Sequence, residues 1–286
     1  MKLRCLLVAI LLAGCAAQPE APPATFDQSE LARTAEAHAA DVPLPTPAAT
    51  TSPVVAVAGR TVTYGEVGGK PVEGWLVKPA NATGPLPGLI VIHEWWGLND
   101  NVRDEAGRLA AEGYVVLAVD LYGGQVATAP PDAMKLAQQL SASPGPADEN
   151  LLAAYGYLDA VEMAPRIGTL GWCLGGRWSL RTALLLPDKV DATVIYYGSV
   201  KASDPELARL RMPVIGFFGS RDPVIPVPSV VAFEQAMKRL GKNVEIHIYE
   251  GAEHAFANPS GGVYEPVAAE DSWRRTLDFL REHLVQ

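Results

Sequence analysis

From residue 54 to the carboxyl end, the chain alternates strand-like runs with amphipathic stretches. GLIVIH at 88–93 and YVVLAV at 114–119 offer water no polar side, and strand-like segments follow at 167–172, 192–196, 214–218 and 244–249. Between and after them, residues 101–112, 148–162, 174–186, 229–240 and 272–284 read as helices. Strands that are apolar throughout bury both faces, and helices that cross between parallel strands supply the cover. The pattern predicts an α/β fold: a mostly parallel sheet flanked by helices on both faces, with a strand pair at 61–64 and 72–77 ahead of it. One domain over residues 54–286 is a size that a single core can sustain. No internal repeat is visible.

Upstream the chain changes character. MKLRCLLVAILLAGC sets Lys2 and Arg4 before an apolar run from Leu6 to Leu12 and small residues. That is the order of a signal peptide, and the run is well short of the ~20 residues a spanning helix needs. Leu12-Ala13-Gly14-Cys15 resembles the lipobox of bacterial lipoproteins. The resemblance implies that residues 1–14 are removed and that Cys15 carries lipid and anchors the protein to a membrane. Ala16, rather than an aspartate, after the cysteine implies sorting to the outer membrane, facing the periplasm. Residues 15–53 are rich in Ala, Pro and Thr, bury too little to offset their ordering entropy, and read as a flexible tether. A short helix fits residues 28–40, but nothing there points to a core.

The chain has three cysteines. With Cys5 in the leader and Cys15 lipidated, Cys173 is the remaining thiol of an exported protein, where a lone cysteine invites a reactive reading. The formal charge is −9 and no Lys/Arg cluster occurs, which argues against a nucleic-acid partner.

Open α/β sheets bind ligands outside the carboxyl ends of their strands. Those ends here carry His93-Glu94, Asp120, Cys173, Asp222 and His254. The chain order Cys, Asp, His, with the cysteine on the strand-to-helix turn GWCLGG, is the α/β-hydrolase order with sulfur in place of oxygen. Gly171 and Gly175 leave room in that turn, and the helix from Leu174 aims its amino end at the thiol, favouring the thiolate. No Gly-x-Ser-x-Gly competes. Asp120 reads as a turn cap. His38 in the tether, His247 in a strand and His283 in the last helix read as structural or solvated. His93 has no second ligand at metal-binding spacing, so neither a metal nor a cofactor is expected.

LIVIHEWWGLNDNVRDEAGRLAAEGYVVLAVDLYGG, GWCLGG, YYG, GSRDPVIP and GAEHAFA, in this order along the domain, resemble the dienelactone hydrolase family. The resemblance implies Cys173 as nucleophile, His254 as base, Asp222 as orienting acid, and Glu94 as a glutamate that contacts the resting thiol. It implies an oxyanion hole made by the backbone N–H groups of Leu174 and Trp95, and a pocket with Trp96 and either Tyr196 or Tyr197. Dienelactone-cleaving members clamp the substrate carboxylate with two arginines; those positions here are Gly124 and Asn258, and Arg221 is the nearest replacement in sequence.

The expected activity is hydrolysis of a small-molecule ester or lactone, preferably neutral, through a cysteine acyl-enzyme. The alternatives are a thiol-dependent peptidase or acyltransferase on the same scaffold, and a non-catalytic envelope-tethered binding protein. Retention of Cys173, Asp222, His254 and Glu94 together weighs against the last.

Overall fold

The computed structural model describes residues 28–39, 41 and 55–285; the expected leader, Cys15 and most of the expected tether lie outside them. In chain order the elements are α1 (Gln28–Ala37), β1 (Val57–Val67), β2 (Lys70–Pro79), β3 (Gly88–Ile92), α2 (Asp100–Ala111), β4 (Val115–Val119), α3 (Pro130–Ala142) and α4 (Gly145–Ala160). They continue with β5 (Ile167–Trp172), α5 (Leu174–Leu185), β6 (Ala192–Tyr196), α6 (Asp204–Leu207), β7 (Val214–Gly219), α7 (Val227–Arg239), β8 (Val244–Tyr249) and α8 (Pro266–Leu284).

The strands form one sheet in the order β1-β2-β4-β3-β5-β6-β7-β8. β1 and β2 are an antiparallel hairpin, β2 runs antiparallel to β4, and β3 to β8 are mutually parallel. Every residue of β3, β4, β5, β6 and β7 is buried. Because successive side chains point to opposite faces, this means that helices cover both faces, as the apolar runs require. β8, at the edge, keeps a half-exposed alternating pattern.

β3 pairs with β4 on one side and β5 on the other. The chain runs outward in opposite directions from β3, which opens a crevice at its carboxyl end, where such sheets bind ligands. His93-Glu94 and Cys173 emerge there, directly after β3 and β5.

Several elements differ from the sequence reading. The hairpin is longer than 61–64 and 72–77, because its exposed polar positions disguise the strands. α3 was not anticipated: its Pro130-Pro131 start looks like a break but is a tolerated first turn. The short α6, opened by a Ser203–Glu206 capping box, was also missed. The larger departure concerns the tether. α1 does form, and Leu31 on it, 2% exposed, belongs to the main hydrophobic core. Residues 28–39 and 41 therefore dock on the domain rather than trail from it. Among the described residues no helix is long and apolar enough to cross a membrane.

Candidate active site

Cys173 stands between β5 and α5 with φ 54° and ψ −115°, a backbone conformation that non-glycine residues rarely hold. Two contacts hold it there. Its N–H donates to the Tyr196 carbonyl at 3.0 Å, and the turn is so tight that a Cβ on Gly171 would strike the backbone of Gly175. A Cβ on Gly175 would in turn strike the Ile92 carbonyl of β3. The strain is thus imposed by sheet and helix together and lifts the thiol to the crevice.

His254 follows β8 and reaches the thiol from the other side. Its Nε2 lies 3.2 Å from Cys173 Sγ, and its Nδ1–H donates to Asp222 Oδ2 at 2.8 Å. Asp222 Oδ1 accepts from the N–H groups of Val224 and Ile225 at 2.7 and 2.9 Å, so the carboxylate caps the turn and orients the imidazole at once. Burial alone would raise the thiol pKa, but the charge and hydrogen bond of His254, with His38, pull it down to about 6. Burial would likewise lower His254, yet Asp222 and the sulfur hold it well above the usual histidine range. Both shifts favour a thiolate–imidazolium pair.

Glu94 is buried beside this pair. Burial first, then the negative charge on Cys173, pushes its carboxyl up to about 8, so it is largely neutral at pH 7. Its hydrogen bond runs to Asn258, whose Nδ2 donates to Oε2 at 2.7 Å; Oε1 is buried with no partner among the described residues. Among the described residues Glu94 makes no hydrogen bond to the thiol: the polar neighbours of Sγ are His254 Nε2 at 3.2 Å and His38 Nε2 at 4.0 Å. Asn258 occupies one expected clamp position, and what it holds is Glu94.

The remaining site residues divide. Trp95, Leu174 and Tyr197 line the cavity at Cys173. Trp96 packs edge-on against Trp95 and against His38. Of the two tyrosines, Tyr197 faces the thiol, while the Tyr196 hydroxyl bonds to Thr276 on α8 at 2.6 Å. Gly124 is exposed in the turn after β4, where its N–H donates to Asp120; it does not line this cavity. Asp120 is the turn cap expected, bonding also to the Tyr122 N–H at 2.8 Å. His93 is buried and spent on structure: Nδ1–H donates to the Glu94 carbonyl at 2.5 Å and Nε2 accepts from Leu121 N–H at 3.1 Å. Arg221 is exposed.

His38 was read as structural or solvated, and the structure overturns that. It is 1% exposed, with Nε2 4.0 Å from Cys173 Sγ and Nδ1–H donating to Asp41 Oδ2 at 2.6 Å. Its ring lies 5.1 Å from Trp95 and 5.4 Å from His254. Gly262 N–H holds the other Asp41 oxygen at 3.0 Å, and Glu30 accepts from Ser199 and Lys201 at 3.3 and 3.0 Å. Burial would lower His38, but Asp41 and then Cys173 raise it to about 9. The docked segment leaves about 10 Å³ beside the thiol, room for no more than a water molecule. The available signal was local and slight: His38-x-x-Asp41 sets an imidazole and a carboxylate close enough in the chain to pair.

A mostly parallel sheet with an acid–imidazole–thiol chain at its strand ends defines an α/β-hydrolase scaffold. The dienelactone hydrolase family profile matches residues 72–284, and the chain belongs to that family. Among its relatives, Protein usf of Aquifex pyrophilus is 31% identical over 234 residues, covering 79% of this chain and all of the relative. A "Putative carboxymethylenebutenolidase" of Saccharolobus solfataricus is 30% identical over 261 residues, covering 78% of this chain and 98% of its own. A crystal structure described as a "Putative Dienelactone Hydrolase" of Klebsiella pneumoniae superposes with a TM-score of 0.70 at 28% identity, over 80% of this chain and 100% of that one. The protein is a hydrolase of this family.

Proposed function

We propose that the protein hydrolyses neutral esters or lactones through a thioester on Cys173. The observation that carries this reading is the unbroken chain Asp222–His254–Cys173, at 2.8 and 3.2 Å, on a strained strand-to-helix turn. The thiolate attacks the carbonyl carbon, and the N–H groups of Leu174 and Trp95 hold the oxyanion. Leu174 opens α5, so its N–H has no acceptor within the helix. The imidazolium of His254 gives its proton to the departing alkoxide; the same imidazole then takes one from water, which attacks the thioester and releases the acid. Among the described residues lining the cavity there is no Lys or Arg, which supports an uncharged substrate.

Steady-state hydrolysis of neutral aryl esters and lactones, with wild type and Cys173→Ala in parallel, tests the reading. The substitution should lower kcat/KM by on the order of 10³ or more. Retained activity in a folded Cys173→Ala protein would move the nucleophile elsewhere. We further propose that Cys15 is lipidated and holds the enzyme at the outer membrane, on the strength of Leu12-Ala13-Gly14-Cys15. Intact mass of detergent-extracted protein should show acyl chains on Cys15 as the first residue; a different amino terminus without lipid overturns it.

A further inference from the structure

Three metal-capable atoms converge in this site: Cys173 Sγ, His254 Nε2 and His38 Nε2, all within 4.8 Å of one another. They come from the β5–α5 turn, the loop after β8 and the segment after α1, so no sequence spacing announces them. A hydrolytic triad accounts for one imidazole and one carboxylate. It leaves unexplained a second buried imidazole that brings its own carboxylate to the same sulfur.

We propose that these three side chains form a binding site for a thiophilic divalent cation, zinc being the reference case, and that the bound ion pins residues 28–39 and 41 over the active site. The spacing fits. With Zn–S near 2.3 Å and Zn–N near 2.0 Å, tetrahedral geometry separates sulfur from nitrogen by about 3.5 Å. The observed separations, 3.2 and 4.0 Å, fall on either side of that value. The longer one is too long to gain much as a direct hydrogen bond. The donors fit as well: one thiolate and two imidazoles favour zinc over magnesium or calcium.

Both imidazoles are prepared in the same way. Each Nδ1–H donates to a carboxylate, Asp222 at 2.8 Å and Asp41 at 2.6 Å, which leaves both Nε2 atoms turned to sulfur. Carboxylate–histidine–metal arrangements have this form. No carboxylate oxygen of the described residues joins the three atoms, which leaves water as the candidate for the fourth position. On binding, each imidazolium gives its Nε2 proton to solvent as the N–metal bond forms, and the thiolate sulfur donates directly; no redox step is involved. The inference uses the Cys173–His254 pair of the hydrolase reading but not its chemistry. An ion on the sulfur closes the enzyme reversibly.

The test uses the full chain, with Zn²⁺ alone by calorimetry and Co²⁺ alone by absorption. One ion per chain should bind. Cobalt should show thiolate charge-transfer and tetrahedral bands that Cys173→Ala removes. Zinc should suppress alkylation of Cys173 in the same titration. His38→Gln and Asp41→Asn should each weaken zinc affinity ~10-fold or more, with folding confirmed by circular dichroism. Equal zinc affinity in wild type and His38→Gln, or no binding to folded wild type, overturns the proposal. Ester hydrolysis without zinc binding would remove this site and keep the hydrolase; zinc binding to a protein that hydrolyses nothing would do the reverse.

Discussion

The Cys173 thiol is pulled two ways: burial favours the neutral form, while His254 and His38 favour the thiolate and prevail, setting it at about 6. The sign of the pH dependence follows. Alkylation by a small electrophile should rise with pH through about 6 and be level by pH 8, whereas an ordinary thiol, near 9, would still be gaining about tenfold per unit there. His254→Ala removes the largest opposing influence and should return the profile toward the ordinary value. A wild-type rate still climbing steeply from pH 7 to 8 would contradict the thiolate assignment. Cys173, Asp222 and His254 were legible in the sequence because each ends a strand, and strand ends are what apolar runs mark. Glu94 was legible as a site residue but not in its contact. Its partner, Asn258, lies 164 residues away, and only the folded loops bring them together. His38 was misread for a similar reason: its significance depends on a docking surface made by loops far away in the chain.

At the scale of elements, α1 is held by Leu31 in the core, by Ala35 and Ala37 packed against it, and by a few polar contacts of Glu30, His38 and Asp41. Truncating a buried leucine costs roughly 2–5 kcal/mol where the site cannot collapse, and here that loss falls mainly on docking of the segment. Leu31→Ala should therefore speed Cys173 alkylation ~10-fold or more at pH 7 while moving the main thermal transition little. An unchanged labelling rate would mean that the segment does not limit access to the thiol. The central strands were readable with nearly their observed ends, because both their faces are buried and the apolar run is unbroken. β1, β2 and β8 face water on one side, so their patterns are mixed, and the ends of the hairpin were not visible. α1 escaped as a packed element because a ten-residue helix with a mostly polar surface resembles a linker unless its one buried leucine is known.

For the whole molecule, the formal charge of −9 disfavours anionic ligands. Gly124 is exposed away from the thiol and Asn258 is bound to Glu94, so neither supplies the cation that a substrate carboxylate needs. Losing one charge-assisted hydrogen bond of ~1.5–3 kcal/mol corresponds to about tenfold or more in kcat/KM. Neutral lactones should accordingly outcompete carboxylate-bearing dienelactones by at least ~10-fold. Efficient dienelactone cleavage that collapses in Arg221→Ala would show that the clamp had moved. Beneath all of these lies one covalent claim, that the acyl group passes through the Cys173 sulfur. Wild-type protein should be quenched in acid during turnover of a slow neutral ester and digested for mass analysis. The peptide containing Cys173 should carry the mass of the acyl group, in an adduct that hydroxylamine removes and that Cys173→Ala never forms. Turnover in which that peptide stays unmodified, or an acyl group on any other residue, would contradict the account.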